Sequence, residues 1–226
     1  MANPNATIQQ PDPHTPRAHT RVERLFDIIG ALTLLTLFSP LMLLVASAIW
    51  LFHPGQIIFS QRRGGLHGRP FTIYKFRTMW VSEDGADVQQ AVSNDPRITP
   101  LGRWLRAWSL DELPQLFNVL RGDMRLVGPR PHALAHEATF KQQCPCYALR
   151  DVVKPGITGW AQLHGMRQEI TCRADLAQRI QLDLAYVRAR SFAWDLSILL
   201  KTPLAMIQPM GGAPHPQRRR RAPVMG

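Results

Sequence analysis

The chain has 226 residues, is 45% hydrophobic and carries a formal net charge of +11 at pH 7. The length and apolar content are typical of one globular domain, alone or with an anchoring segment. The charge indicates an anionic partner (nucleic acid, a phosphorylated metabolite or an anionic lipid surface), and three cysteines exclude a disulfide framework and indicate reduced thiols on the cytoplasmic side.

A polar lead and an apolar segment open the chain. Residues 1–20 are rich in proline and polar side chains, which predicts disorder. An uncharged apolar run follows, from Ile28 to Phe52. At ~1.5 Å per residue, a helix of this length could cross a hydrocarbon core of about 30 Å. We therefore predict that residues 21–56 form a membrane segment.

Two features of this segment argue against a simple spanning helix. Ser39 and Pro40 lie near its midpoint, where proline removes a backbone hydrogen bond and bends a helix. Arginines flank both ends of the run, whereas the positive-inside tendency would place them on one side of a single crossing. A re-entrant hairpin with both ends on the same face accounts for both features. A spanning helix that tolerates a proline stays open as the alternative.

The rest of the chain is predicted to be mainly α-helical with one small β-hairpin. Residues 55–61 and 69–77 are short β-like stretches, and a glycine-rich turn at 64–68 separates them. Residues 57–208 are predicted to form one cytoplasmic domain, and residues 209–226 a disordered basic tail. Apolar periodicity predicts helices over 101–108, 112–121, 175–190 and 194–207.

Tryptophans and arginines recur together along this domain. The pairing suits helices that lie in a lipid headgroup layer, since both side chains combine an apolar body with a polar end. Each tryptophan taken singly is better explained as a core residue. The residues concerned are Trp80, Trp104, Trp108, Trp160 and Trp194.

Two adjacent carboxylates, Asp111 and Glu112, are the strongest chemical signal in the sequence. One carboxylate of such a pair can attack phosphorus, and the other can hold a divalent cation. The S-x-x-E pattern from Ser109 to Glu112 is also that of a capping box, which gives both residues a purely structural alternative. Pro114 favours a helix that begins nearer Asp111. Either way we expect a helix N-terminus that lowers the proton affinity of Asp111 and keeps it ionised.

Basic residues surround this pair in the sequence. Lys75 and Arg77 alternate along a predicted strand and so share one face. Prolines on both sides of Arg130 stiffen the backbone that aims its guanidinium. Arg125 is instead expected to make a lipid headgroup or surface contact. The predicted phosphate ligands are therefore drawn from Lys75, Arg77, Arg97, Arg103, Arg106 and Arg130.

In these segments the chain resembles the bacterial sugar transferases. These are monotopic polyprenyl-phosphate phosphoglycosyl transferases that begin polysaccharide and glycoconjugate assembly, including exopolysaccharide and lipopolysaccharide. The resemblance covers about residues 21–207, and its motifs occur in the family's order. They are Lys75–Met79, Ser109–Gln115, Gly122–Pro131, Lys154–Gln162 and Asp195–Leu199.

The resemblance implies a fold and a location. The fold is that of a mainly α monotopic membrane protein with a small β-hairpin, an N-terminal re-entrant helix-break-helix at Ser39 and Pro40, and interfacial amphipathic helices. The catalytic domain would lie at the cytoplasmic face of the bacterial inner membrane, in contact with membrane lipid. Many relatives carry four transmembrane helices and a further domain before the catalytic unit. Residues 1–20 form only a short lead, so we expect the compact form.

The resemblance also implies a mechanism. Asp111 would attack the β-phosphate of a UDP-sugar, form a phosphosugar-aspartyl intermediate and release UMP. Undecaprenyl phosphate would then accept the sugar phosphate. Glu112 matches the family's Mg²⁺-holding carboxylate, and Arg106 and Arg130 match its substrate-phosphate arginines. Lys75 and Arg77 match a basic motif of the family.

One loop departs from the family pattern. Arg167 is a candidate substrate contact, but Gln168 stands where the family commonly has glycine. This difference leaves the local loop geometry and the sugar preference open. Whether the chain forms a homodimer is open as well.

Two other functions are consistent with parts of the sequence. A membrane-anchored nucleic-acid-binding protein would explain the net charge. The basic residues cluster around carboxylates, however, which would repel a nucleic-acid backbone, so no nucleic-acid partner is expected. A phosphohydrolase of nucleotide sugars would use the same aspartyl intermediate with water as the acceptor.

Overall fold

The computed structural model describes residues 20–80, 90–92, 95–167, 170 and 172–207. The predicted disorder of residues 1–19, the position of Gln168 and the basic tail lie outside the described residues. Within the described parts, the protein is mainly helical and contains two small two-stranded sheets. The predicted mainly α class with a small hairpin is confirmed.

The first helix, α1, extends over Arg21–Phe52 and contains the whole apolar run. Thr20 and Glu23 form a capping box at its start: the Thr20 hydroxyl accepts from the Glu23 amide, and the Glu23 carboxylate accepts from the Thr20 amide. Among the described helices, α1 is the one that is long and apolar enough to cross a membrane. Its length and composition indicate association with a membrane.

Helix α1 continues through Ser39 and Pro40, where the resemblance implies a break. Pro40 has no amide hydrogen, so the carbonyl of Thr36 loses its usual helical partner. The Ser39 hydroxyl donates to that carbonyl, with 2.9 Å between the two oxygens. The serine thus replaces the missing backbone hydrogen bond, which explains how the helix passes the proline.

The predicted β-hairpin forms from β1, Ile58–Gly64, and β2, Pro70–Phe76, which pair antiparallel. Helix α3, Gln115–Arg121, packs against it through the fully buried Asn118. The Asn118 amide accepts from the backbone N–H of Tyr74 and donates to the backbone carbonyl of Thr72, at 3.0 and 2.7 Å. This side chain therefore fixes the strand that carries Lys75 relative to α3.

Between the hairpin and α3, the chain passes through α2, Pro100–Ala107, and a short 3-10 turn, Leu110–Glu112. The predicted helix over 112–121 thus begins later than expected, and both carboxylates lie in the turn before it. Ser109 adopts a left-handed conformation, with φ of 52°, and its side chain makes no capping hydrogen bond. The capping-box interpretation of Asp111 and Glu112 is therefore wrong.

The structure contains a second sheet that was not predicted from the sequence. Strand β3, Arg125–Val127, pairs in parallel with β4, Gly156–Thr158. A Cβ atom on Gly156 would lie 2.0 Å from the backbone nitrogen of Gly128, so the close approach of the two segments requires glycine. Strands of three residues are too short to show a period in the sequence.

The remaining helices surround this sheet. The predicted helices at 175–190 and 194–207 are confirmed with small shifts of their ends, whereas the first two of the four were not predicted. Their ranges are α4, Leu134–Gln143; α5, Trp160–Leu163; α6, Arg173–Ala189; and α7, Phe192–Ile207.

Arg125 is buried, contrary to the predicted headgroup or surface contact: only 2% of it is exposed. Its guanidinium lies 3.1 Å from a carboxylate oxygen of Asp27 on α1 and 2.9 Å from one of Asp195 on α7. Tyr186 donates a further hydrogen bond to Asp195, at 2.7 Å. The misprediction arose because charged partners far away in the sequence make burial of an arginine favourable. One guanidinium thus joins α1, β3 and α7.

The tryptophans divide into two groups. Trp80, Trp104 and Trp108 are about half exposed, which leaves their interfacial role a prediction. Trp160 and Trp194 pack edge to face, with 5.1 Å between ring centroids, against the main hydrophobic core. For these two residues the core interpretation is confirmed.

Candidate active site

A cavity of about 1230 Å³ lies where the hairpin, the 3-10 turn, α1, α6 and α7 meet. Among the described residues that line it, Asp111 and Glu112 are the two acids. Basic side chains outnumber them, so the cavity suits an anionic ligand. These basic residues are Arg63, Lys75, Arg77, Arg97, Arg106, Arg130, Arg167 and Arg179.

Glu112 is held between two cations. Its Oε1 lies 2.7 Å from Nζ of Lys75 and 2.6 Å from Nη2 of Arg130, and Nη1 of Arg130 donates to Oε2 at 3.1 Å. Burial raises the pKa of Glu112, but Arg130 and Lys75 outweigh that effect and hold the pKa well below its ordinary value. Glu112 is therefore ionised and bound on both oxygens in a fork-like arrangement.

Asp111 differs from its neighbour. Its side chain is buried to all but 8% and accepts no hydrogen bond from another described residue. Burial raises the pKa of Asp111 to about 6, although Lys75 opposes the rise. The expected lowering of this pKa by a helix N-terminus is wrong, because the residue lies in a 3-10 turn and the effect of burial outweighs that of the surrounding cations. Above pH 6 Asp111 is an unpaired carboxylate that faces the cavity.

Two guanidiniums beside the pair are also without partners. The side chains of Arg106, at the end of α2, and of Arg167 make no hydrogen bond or ion pair with any other residue that the structure describes. Arg106 acts electrostatically on Asp111, and Arg167 on Glu112. Both side chains are partly buried, where a guanidinium gains from an anionic partner. Both are therefore available to bind phosphate oxygens of a ligand.

Arg77 has a different environment from Lys75, although both line the cavity. Its Nη2 donates to the backbone carbonyls of His53 and Pro54, which follow the last turn of α1. Nε and Nη2 of Arg97 donate hydrogen bonds to the carboxylate of Asp95. The structure therefore groups Lys75, Arg106, Arg130 and Arg167 around the carboxylates. Arg77 instead forms hydrogen bonds to the backbone that follows α1.

A buried network of hydrogen bonds and ion pairs lies behind Arg130 and was not predicted from the sequence. Arg150 donates from Nη2 to the backbone carbonyl of Arg130 and from Nη1 to Nδ1 of His132, at 2.9 Å for the second bond. The same guanidinium lies 3.1 Å from Asp183 on α6. Burial, reinforced by Arg150, lowers the pKa of His132 well below its ordinary value, so the imidazole is neutral. The segment that carries Arg130 is thus held from behind by Arg150.

One sequence signal could have revealed this network. Leu176, Ile180 and Leu184 form the buried stripe of α6, and Arg179 and Asp183 fall at the same helical positions. Charged residues four positions apart within an apolar stripe indicate a buried, paired function. Arg179 lines the cavity from this helix.

Whether Asp111 and Glu112 could hold a metal ion depends on the oxygen lone pairs that their hydrogen bonds leave free. Oε2 of Glu112 accepts one hydrogen bond, and Asp111 accepts none from the described residues, so both retain free lone pairs. Within the described ranges there is no group of three or more His, Cys, Asp or Glu side chains that could hold a metal ion. Mg²⁺ typically binds one or two carboxylates and completes its shell with substrate phosphates and water. The pair fits Mg²⁺ that binds together with a phosphorylated ligand.

The sequence of the chain is similar to those of known proteins. A family model described as bacterial sugar transferase matches residues 18–209. The UDP-glucose:undecaprenyl-phosphate glucose-1-phosphate transferase of Caulobacter vibrioides is 51% identical over 180 residues, which cover 80% of this chain and 67% of that protein. The Escherichia coli K12 protein of the same name is 46% identical over 181 residues, covering 80% and 39%.

A shorter relative matches along most of its own length. The exopolysaccharide production protein PSS of Rhizobium leguminosarum is 41% identical over 185 residues, which cover 80% of this chain and 92% of that protein. The matched segment therefore spans nearly all of the Rhizobium protein, two thirds of the Caulobacter protein and well under half of the Escherichia coli protein.

Proposed function

The chain belongs to the bacterial sugar transferase family, and from that membership we propose that it is an undecaprenyl-phosphate sugar-1-phosphate transferase. The donor is a UDP-sugar, and the acceptor is undecaprenyl phosphate at the cytoplasmic face of the bacterial inner membrane. The lipid diphosphosugar product begins a polysaccharide or glycoconjugate. One observation carries the proposal: an unpaired carboxylate, Asp111, faces a cationic cavity beside two unpaired guanidiniums.

In the proposed first half-reaction, a carboxylate oxygen of Asp111 attacks the β-phosphorus of the donor. A new O–P bond forms to Asp111 while the phosphoanhydride P–O bond breaks, and UMP leaves with the bridging oxygen. In the second half-reaction, a phosphate oxygen of the acceptor attacks the same phosphorus, and Asp111 leaves as a carboxylate. No water is consumed, so the sugar phosphate passes from one diphosphate linkage to another.

The other residues of the site position and neutralise phosphate in this proposal. Arg106 and Arg167 bind donor phosphate oxygens, because their donors have no other described partner. Lys75 and Arg130 hold positive charge next to the reacting phosphorus, where it stabilises the developing negative charge. Glu112 fixes both cations in place through its paired oxygens.

The rate of UMP release is expected to rise with pH and to level off above about 6. The raised pKa of Asp111 means that below this value the carboxylate is largely protonated and cannot attack. The measurement is the initial rate at subsaturating UDP-glucose between pH 5 and 8, which reports the free enzyme. A rate that is flat or falls across this range would contradict the assignment of Asp111 as the ionised nucleophile.

We also propose that Mg²⁺ binds with the donor, held by Glu112 and the donor phosphates. When bound, it neutralises charge on the diphosphate. Calorimetric titration with Mg²⁺ should show weak binding to the protein alone and binding at least about tenfold tighter with saturating UDP, after correction for Mg–UDP formation. Glu112→Gln should lose the enhancement. Equally tight Mg²⁺ binding with and without UDP would indicate a resident metal instead.

For α1 we propose a monotopic arrangement in which both ends lie on the cytoplasmic side. Both ends of the helix contact the same domain: near the start, Arg24 donates to the carbonyls of Val119 and Leu120. Near the end, Val45 and Ile49 are buried in a cluster with the hairpin and α2. A helix held at both ends by one domain lies along that domain, which favours the re-entrant path over a crossing.

Cysteine labelling tests this topology. In a chain whose natural cysteines are replaced by serine, Thr20→Cys and Ser60→Cys should both react with an impermeant maleimide only from the cytoplasmic side. Labelling of the two positions from opposite faces of inverted and right-side-out vesicles would instead show that α1 spans the bilayer.

The transferase activity is tested by UMP release from a panel of UDP-sugars, with and without undecaprenyl phosphate. Sustained turnover should require the lipid, whereas donor alone should give at most one UMP per enzyme. Sustained release without the lipid would favour the phosphohydrolase. Absence of release from every UDP-sugar, together with salt-sensitive binding of DNA or RNA, would favour the nucleic-acid-binding protein.

A further inference from the structure

The cavity that contains Asp111 is also lined by the apolar faces of α1 and α7. The lining residues recur at helical spacing on each helix, so each presents one continuous stripe. We call this part of the cavity the α1–α7 cleft. Its walls include Leu34, Leu37 and Phe38 from α1 and Leu199, Pro203 and Met206 from α7.

The two walls are held in place below the cleft. Phe26 and Phe192 pack edge to face at the N-terminal ends of the two helices, with 5.0 Å between ring centroids. Arg125 joins the same ends through its ion pairs with α1 and α7. Thr158 of β4 hydrogen bonds to Thr202 of α7 at 2.9 Å. Both helices are therefore anchored to the sheet beneath the cleft.

The lining of the cavity has a charged part and an apolar part. The hairpin, the 3-10 turn and nearby loops supply the carboxylates and most of the cations, whereas the α1–α7 cleft supplies mainly apolar side chains. A UDP-sugar carries no alkyl chain that would fill an apolar cleft. The volume of about 1230 Å³ also exceeds the roughly 300–1,000 Å³ of a typical small-ligand pocket. A ligand with an anionic head and an apolar chain is complementary to both parts at once.

We propose that the α1–α7 cleft binds the first isoprene units of the acceptor lipid and guides its phosphate to Asp111. This inference rests on the proposed function and adds a binding site for the acceptor chain. Thr33 and Leu200 both line the cavity and are exposed, so a larger side chain at either position can enter the cleft without disturbing the core. These two positions offer independent tests from opposite walls.

The variants are Thr33→Trp on α1 and Leu200→Trp on α7. Leu32→Trp and Leu204→Trp are matched controls, since both are exposed residues of the same helices that do not line the cavity. Two properties are measured on the purified full chain: UMP released from UDP-glucose alone, and kcat/KM for farnesyl phosphate, dimethylallyl phosphate and undecaprenyl phosphate.

The cleft variants should retain the UMP released from donor alone, because the charged part is untouched. Their kcat/KM for farnesyl and undecaprenyl phosphate should fall about tenfold or more, the effect of losing burial of about two methylene groups. Dimethylallyl phosphate, with a single isoprene unit, should change by less than about twofold. The controls should match the wild-type protein with every acceptor.

Three outcomes would overturn the inference. Unchanged use of long acceptors by both cleft variants would mean that the cleft holds ordinary bilayer lipid. Equal losses in the controls would assign the effect to tryptophan at the membrane surface, and loss of UMP release from donor alone by both variants would assign the cleft to the donor. Lack of UMP release by the wild-type protein from every UDP-sugar of the panel would reject the proposed function itself.

Discussion

Replacing Asp111 by asparagine is expected to reduce UMP release from UDP-glucose by at least about a thousandfold, the scale seen when a covalent nucleophile is removed. The amide has nearly the same shape but cannot attack phosphorus as an anion. Because Asp111 accepts no hydrogen bond from the described residues, the substitution breaks no contact in the folded protein. The loss should therefore appear in kcat with little change in the thermal unfolding temperature.

A covalent trap strengthens this test. Mass spectrometry of the protein mixed with UDP-glucose alone should show one added hexose phosphate, and the added mass should be absent from the Asp111→Asn variant. Asp123→Asn is the matched control, because Asp123 is a partly exposed acid paired with Arg121 at 3.4 Å outside the cavity. Substantial turnover by the Asp111 variant, or an adduct on Glu112, would refute the assignment.

Replacing Glu112 by glutamine is expected to lower the rate by about a hundredfold. The variant leaves Lys75 and Arg130 without their carboxylate, so both cations lose the geometry that holds them near the reacting phosphorus. It also removes a negative charge that raises the pKa of Asp111. The midpoint of the pH–rate profile should therefore move below 6.

The shift of the midpoint separates a specific role of Glu112 from a general loss of structure. A folding defect would lower the amplitude of the profile and leave its midpoint in place. A midpoint that stays at about 6 or moves up would contradict the electrostatic coupling between the two carboxylates. Asp123→Asn again supplies the control, with an unchanged midpoint expected.

Local signals in the sequence account for much of the fold. The glycine-rich turn between two β-like stretches placed the hairpin and Lys75 correctly, because a tight turn and alternation depend on near neighbours. The parallel pair of β3 and β4 was missed, since it joins three-residue segments about thirty positions apart. The re-entrant path of α1 stays a prediction.

In the site, too, features that depend on neighbouring residues were predicted, and features that depend on residues far away in the sequence were not. Adjacent carboxylates in an arginine-rich context identified the cavity wall, and the structure gathers Lys75, Arg106, Arg130 and Arg167 around them. The ionisation of Asp111 was wrongly predicted because burial, which no local pattern reports, raises its pKa. The burial of Arg125 was missed for the same reason, since its partners lie on α1 and α7. The catalytic roles themselves stay predictions.

The ion pairs of Arg125 and the contacts at both ends of α1 hold this helix against the elements that surround the cavity. In the monotopic arrangement proposed above, the depth of α1 in the lipid would therefore set the height of Asp111 above the acyl chains. In this arrangement the protein would hold its reactive carboxylate at one depth relative to the lipid. Under that proposal, an acceptor phosphate would reach the carboxylate from the headgroup level of the leaflet in which α1 lies.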